Sequence, residues 1–297
     1  MPIIICLIKI IITLRRNILR MDAVSTLLVE GLAVTEFMIT VFTYIPTMVT
    51  LVSRSWVMGE EVCLFVAFLK YTLGYNEILT ITVTSVYRMW KLKNSSRTTV
   101  KLGWLRILLG GLVCLSCLPF VVSMVLGNRV LFEPSVLSCI WSNFKENMIG
   151  FNITVTSIYV LIPIAVTIIS NIEIIRIVAN RRRMSARDTH RSRTNQNRKT
   201  INTGTALTVI CLALVATYFP IFGIEILKVN LDLPDSVNLI KIYSYSINSM
   251  INPAVFLFMN GKFRDYVKSF FCKDASTLDV TPDVVVNNSN NMSQHIL

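Results

Sequence analysis

Three charged residues lie at helical spacing in one long apolar segment, 62–88. Lys70, Glu77 and Arg88 are separated by 7 and 11 residues, and at 100° per residue both steps return nearly to the same face of a helix. Charged side chains inside a membrane span are costly, so those that occur usually serve a function. The spacing therefore predicts a polar stripe that faces the interior of a helix bundle.

The apolar runs around this stripe are long enough to cross a membrane. The chain of 297 residues is 53% hydrophobic and 15% charged, and a helix needs about 20 apolar residues to span the hydrocarbon core. Six such helices are predicted, over 23–51, 62–88, 102–126, 149–178, 201–227 and 236–259. The run 2–14 reaches only about 20 Å as a helix, so residues 1–20 are expected to form a partial first helix and an inner loop.

The positive charge of the chain indicates membrane topology rather than nucleic-acid binding. The formal net charge is +12, and 23 of the 29 Lys and Arg residues fall on one side when the loops are assigned alternately. Such an excess marks the cytoplasmic side, and the basic run 181–199 is expected to be an inner loop. Cys63 and Cys139 then both fall on the outer side, where a disulfide can form and persist.

The stretch 246–272 carries a specific motif. It reads NSMINPAVF over 248–256, and a short amphipathic segment that follows Gly261 ends at Cys272, a site for lipidation on an anionic membrane surface. This stretch resembles the end of the seventh helix and the eighth helix of rhodopsin-like G-protein-coupled receptors, whose motif is N-S-x-x-N-P-x-x-Y. Phe256 replaces the Tyr of that motif.

Further motifs of that family occur along the chain in the family's order. LAVTE at 32–36 resembles L-A-x-x-D, and WVMGEEVC at 56–63 resembles W-x-x-G-x-x-x-C. YRM at 87–89 stands at the position of D-R-Y, and TYFP at 217–220 stands at the position of C-W-x-P with its Pro retained. The G-x-x-x-N motif of the first helix is absent, and we expect a truncated start rather than a receptor that lacks half a helix.

The resemblance implies an all-α membrane protein. Residues 21–273 would form the transmembrane bundle, a seven-transmembrane helix bundle whose first helix is partial, together with an amphipathic eighth helix. Residues 274–297 would form a disordered cytoplasmic tail, since they are polar and rich in Asn.

The resemblance places a ligand pocket around Lys70, where members that bind amines have Asp. An ammonium group there would repel an amine and attract a carboxylate, phosphate or carbonyl group. Alternatively, Lys70 snorkels to the outer surface, or it pairs with Glu225 at a similar depth on the sixth helix. Trp141 and Tyr218 complete the predicted ligand-binding set.

The resemblance also directs Glu36 and Glu77 toward a central site where many members bind Na⁺. Two carboxylates that meet in a low dielectric rarely both ionise unless a cation lies between them. The site would therefore hold a cation or share a proton, with Asn248, Ser249 and Asn252 around it. The alternative is one neutral Glu that is hydrogen-bonded to Asn248.

Arg88 is the residue to which the resemblance assigns signalling. In the family it is restrained by the neighbouring Asp and released on activation to meet the G protein, but Tyr87 replaces that Asp here. We therefore expect weakened restraint and raised basal signalling. The alternative is a drifted receptor in which Arg88 merely faces solvent and lipid phosphates. The other activation residues that the resemblance implies are Pro220, Asn252, Pro253 and Phe256.

The resulting prediction is a plasma-membrane receptor that binds an extracellular ligand and activates a heterotrimeric G protein. Membrane lipids are expected partners, and nucleic acid is not. The retinal-binding Lys of opsins is replaced by Ser246, so no retinal and no cofactor beyond Na⁺ is expected. No enzyme motif such as His-Glu-x-x-His is present, and the chain is not expected to be an enzyme.

Two alternatives to a signalling receptor stay open. A non-signalling, receptor-like protein fits the substitutions at activation positions, which are Asn171, Tyr87, Tyr218 and Phe256. An ion- or proton-coupled transporter could use the charged residues Glu36, Lys70 and Glu77 as a relay. The sequence shows no internal repeat, which argues against the transporter.

Overall fold

The structure is a computed structural model that describes residues 23–94, 101–134, 138–141 and 148–187, with the single positions 12, 212, 216 and 217. Four helices in this part are long and apolar enough to cross a membrane, over Ala23–Ser53, Glu60–Lys93, Leu102–Val125 and Gly150–Asn180. The predicted seventh and eighth helices and the tail lie outside the described residues, as do nearly all of the predicted sixth helix and nearly all of 1–20.

The first described span and the last each contain a π-helical turn. The first consists of α1 (Ala23–Ile39), a π-helical turn (Thr40–Tyr44) and α2 (Ile45–Ser53). Between them lie α3 (Glu60–Lys93) and α4 (Leu102–Val125). The last consists of α5 (Met148–Thr156), a second π-helical turn (Ser157–Leu161) and α6 (Ile162–Arg187).

Each π-helical turn immediately precedes a helix whose second residue is proline. Pro46 and Pro163 lack the N–H that would continue the i→i−4 ladder, and the wider turn before each one accommodates that break. Hydroxyl side chains supply local donors near Pro46: Thr47 Oγ1 donates to Thr43 O at 2.8 Å, and Thr50 Oγ1 donates to Pro46 O at 2.9 Å. Proline is tolerated in membrane spans through local adjustments of the helix of this kind.

Helix α3 is the centre of the described structure and packs against α1, α4, α6 and both π-helical turns. A buried apolar cluster joins α1, α3 and α5 with the second π-helical turn, and its members are Leu32, Ile78, Ile81, Val155, Tyr159 and Val160. The central part of the predicted polar stripe on α3 faces this interior, because Glu77, Ile81 and Thr84 are buried. At the two ends of the stripe, Lys70 and Arg88 are half-buried.

A β-hairpin lies between the predicted helices 102–126 and 149–178, in a protein predicted to be all-α. Strands β1 (Val130–Glu133) and β2 (Ser138–Trp141) are antiparallel, with Val130 opposite Trp141. Both strands are rich in β-branched and aromatic residues, which favour strands, but four residues are too few to give a clear alternation. A disulfide between Cys63 and Cys139, with the Cα atoms 5.5 Å apart, joins β2 to the outer end of α3 and confirms the predicted pairing.

The helix bounds follow the predicted spans closely, with one correction on the inner side. Helix α4 ends one residue before the predicted 126, and α3 extends beyond 62–88 at both ends. Helix α6 continues to Arg187, so the first part of the expected loop 181–199 is helical. Arg, Met and Ala are good helix formers, which favours continuation of the helix through this basic segment.

Candidate functional site

The outer end of α3 is joined to the hairpin by three links: the disulfide, a hydrogen bond and a ring stack. Below the disulfide, Lys70 Nζ donates to Ser138 Oγ at 3.1 Å. The ring of Tyr71, the next residue, stacks on Trp141 with centroids 4.3 Å apart and planes 14° from parallel. The Lys70 ammonium therefore lies under β2 in a half-buried position and is directed at the hairpin.

Trp141 is the centre of an aromatic cluster beneath the hairpin. Its ring is 8% exposed, and it lies 5.8 Å from the ring of Phe120 and 6.3 Å from that of Phe151, measured between centroids. This packing gives Trp141 a structural role under the hairpin, beside its predicted role at a ligand. Tyr218 and Glu225, the other predicted ligand-binding residues, lie outside the described part of the chain.

The two buried carboxylates lie on neighbouring antiparallel helices. Asn76 of α3 donates through Nδ2 to Thr35 Oγ1 of α1 at 3.1 Å. Nearer the outer side, the ring centroids of Phe42 and Phe65 lie 6.2 Å apart. Residues later in the first span thus lie beside residues earlier in α3, so the two helices run in opposite directions.

This register places Glu36 and Glu77 on the same side of the helix pair. Each follows one of the bonded residues Thr35 and Asn76, and each is therefore turned by about 100° from the contact. Because the helices are antiparallel, the two rotations carry both carboxylates to one side. Both side chains are only 1% exposed, so this side is the protein interior. Asn248, Ser249 and Asn252, the other predicted members of the site, lie outside the described residues.

At the inner end of α3, Tyr87 belongs to an apolar cluster. It packs against a cluster of buried residues from α1 and α4, whose members are Val24, Leu28 and Leu105. Lys91 Nζ lies 5.9 Å from the centroid of the Tyr87 ring, within the range of a cation–π contact. Tyr87 thus anchors the inner end of α3 to two other helices, and its neighbour Arg88 is half-buried.

Between the levels of Glu77 and Tyr87, hydroxyl groups join α3 to α6. These contacts were not predicted from the sequence. Thr82 Oγ1 lies 3.0 Å from Thr167 Oγ1 and 3.2 Å from Pro163 O. Asn171, at the position where many receptors have Tyr, donates through Nδ2 to Thr167 O at 2.9 Å. A threonine in an apolar run gives no signal by itself, because the run does not reveal which face meets which helix.

The remaining predicted residues are not placed by the structure. Pro220, Pro253, Phe256 and Cys272 lie outside the described part of the chain. Within the part that is described, no group of three or more His, Cys, Asp or Glu side chains could hold a metal ion.

Comparisons with known proteins agree with this architecture. The crystal structure of squid rhodopsin aligns with a TM-score of 0.75 at 14% sequence identity, over 91% of this chain and 83% of the rhodopsin chain; at that identity the likeness shows the fold. No curated protein sequence matches the chain significantly. The family model described as "7 transmembrane receptor (rhodopsin family)" matches residues 6–256. The chain therefore belongs to the rhodopsin family of seven-transmembrane receptors.

Proposed function

We propose that this receptor binds an extracellular ligand at the plasma membrane and activates a heterotrimeric G protein. Family membership is the observation that carries the proposal. The arrangement of α3 supports it, because one helix is tied to the outer hairpin at Cys63 and presents Arg88 at its inner end. Ligand binding from outside would shift a two-state bundle and open the inner face around Arg88.

The proposed ligand carries a hydrogen-bond acceptor, such as a carboxylate, phosphate or carbonyl group. Lys70 supplies an ammonium group beneath the hairpin, where it donates to Ser138 Oγ, and an ammonium group at this depth would attract an anionic or carbonyl group of a ligand. A panel of carboxylic acids and amines tested on wild type and Lys70→Gln would check this. Acids should activate wild type alone, and activation of wild type by simple amines would contradict the proposal.

The carboxylate pair is proposed to bind a cation or to share a proton. The support is the burial of Glu36 and Glu77 on one side of α1 and α3, where two full negative charges would repel each other strongly. Basal signalling that changes when extracellular Na⁺ is replaced by a bulky organic cation would indicate Na⁺, whereas a change with pH alone would indicate a shared proton. In Glu77→Gln either response should disappear, and an unchanged response there would rule the pair out.

Signalling itself is tested by G-protein activation in cells without added ligand. Wild type is compared with Arg88→Ala at matched surface expression, and Arg54→Ala serves as the control because Arg54 is an exposed arginine on the outer side. We expect basal output from wild type and Arg54→Ala and its loss in Arg88→Ala. Equal output from all three would contradict coupling through Arg88.

A non-signalling, receptor-like protein is the second candidate. The observation in its favour is that Asn171 bonds within its own helix, at a position where many receptors have Tyr. Surface expression without output from any G-protein class, with or without the acid panel, would favour it.

A further inference from the structure

Three buried polar atoms between the first described span and α3 have no hydrogen-bond partner among the described residues. They are Thr43 Oγ1, Thr72 Oγ1 and Asn76 Oδ1. Their side chains belong to residues that are 6%, 3% and 6% exposed. Buried polar atoms almost always have a protein or water partner, because leaving them unsatisfied is costly.

All three atoms belong to one interface, which we call the α1–α3 seam. Asn76 contacts Thr35 of α1, and Thr72 lies one turn further out on the same face of α3. Thr43 belongs to the first π-helical turn, which packs against α3. The seam therefore continues outward from the level of Glu36 and Glu77.

The hydroxyl groups of Thr43 and Thr72 depart from the pattern that other hydroxyl groups of these helices follow. Thr40, Thr50 and Thr84, for example, each donate to the carbonyl oxygen four residues earlier. That bond is available to any Thr in a helix. Thr43 and Thr72 do not make it, so their buried hydroxyl groups need another partner.

The chemistry of the three atoms selects the occupant of the seam. Asn76 Oδ1 can only accept a hydrogen bond, whereas each Thr hydroxyl also has a hydrogen to donate. A metal cation could satisfy the oxygen atoms but cannot accept a hydrogen bond. Water can donate to Asn76 and accept from a hydroxyl, and it commonly fills polar sites of this kind.

We propose that the α1–α3 seam is a buried hydration site, in which ordered water bridges Thr72 Oγ1 and Asn76 Oδ1 and extends toward Thr43. This water would lie outward from the level of the carboxylates, in the contact between the two helices. The proposal concerns the folded protein alone and does not depend on ligand binding or on G-protein coupling.

The test is the sign of the stability change when Thr72 is replaced by valine, which has the same shape but no hydroxyl. In a hydrated seam, Thr72→Val loses a hydrogen bond to water, so the melting temperature should fall, by about 2–4 °C if the loss is typical of one hydrogen bond. In a dry seam the substitution removes an unsatisfied hydroxyl, and the melting temperature should rise. A rise would overturn the proposal.

Thr84→Val is the matched control, because Thr84 is buried on the same helix and its hydroxyl donates to Thr80 O at 2.7 Å. Thr84→Val should lower the melting temperature. If the seam is hydrated, Thr72→Val should lower it as well. An experimental structure that resolves ordered water decides the question if a variant fails to fold. Density within hydrogen-bond distance of both Thr72 Oγ1 and Asn76 Oδ1 is expected, and a seam closed by protein atoms or occupied by a metal cation would overturn the proposal.

Discussion

Tyr87, the residue before Arg88, is an aromatic residue at the position where the family has Asp. Its packing against the cluster of Val24, Leu28 and Leu105 joins the inner end of α3 to α1 and α4. A neutral ring cannot supply the charge with which an Asp would restrain the guanidinium group. At the scale of one residue, the position therefore contributes packing rather than an ion pair.

Replacing Tyr87 by Asp should lower basal signalling, by about fivefold or more, because a coupling of about 1 kcal/mol or more would then favour the restrained state of Arg88. The measurement is ligand-free G-protein activation at matched surface expression. Tyr87→Phe is the control, since it retains the ring and should keep the basal output of wild type. Equal basal output from wild type and Tyr87→Asp would contradict the weakened restraint.

At the scale of elements, α6 is positioned by hydrogen bonds at its proline. Tyr159 in the π-helical turn donates to Leu115 O of α4 at 3.0 Å, and Thr82 of α3 contacts both Pro163 O and Thr167 Oγ1. These bonds connect three helices at the point where the regular ladder of one of them is interrupted. Side chains of α3 and of the π-helical turn therefore help to hold the proline region of α6 against its neighbours.

A double-mutant cycle between Thr82→Val and Thr167→Val should detect this connection. Such cycles in membrane proteins average about 0.6 kcal/mol for one hydrogen bond, and we expect a coupling of that order in the free energy of unfolding. The corresponding cycle between Thr84→Val and Thr167→Val is the control: both Thr82 and Thr84 donate to the carbonyl oxygen four residues earlier, Ile78 O and Thr80 O, but of the two only Thr82 also contacts Thr167. Coupling as large in the control as in the test pair would show that the hydroxyl contact does not connect α3 to α6.

At the scale of the whole molecule, the four spans in the described part of the chain were predictable because the hydrocarbon core imposes a minimum apolar length. The same reasoning predicted that Cys63 and Cys139 face the outer side, and the structure confirms their disulfide. The burial of Glu77 followed from the 3.6-residue period of the stripe on α3.

Features that depend on contacts between distant segments could not be predicted in this way. The four-residue strands of the hairpin are defined by their pairing and by the link to α3. The contact between Thr35 and Asn76 requires the rotation and register of two helices, and an apolar run specifies neither. The extension of α6 to Arg187 was missed because a basic segment in water has no apolar period to read.

The most direct test of the account is nucleotide exchange with purified components. The receptor in lipid nanodiscs is mixed with each class of heterotrimeric G protein, and GTP-analogue loading is followed without ligand. We predict loading of at least one class faster than with empty nanodiscs, and a return to that background in Arg88→Ala. The contradicting result would be a folded wild-type receptor, with its disulfide between Cys63 and Cys139 intact, that accelerates GTP-analogue loading of no G-protein class. That result would contradict the claim that this chain is a G-protein-coupled receptor with a weakly restrained inactive state.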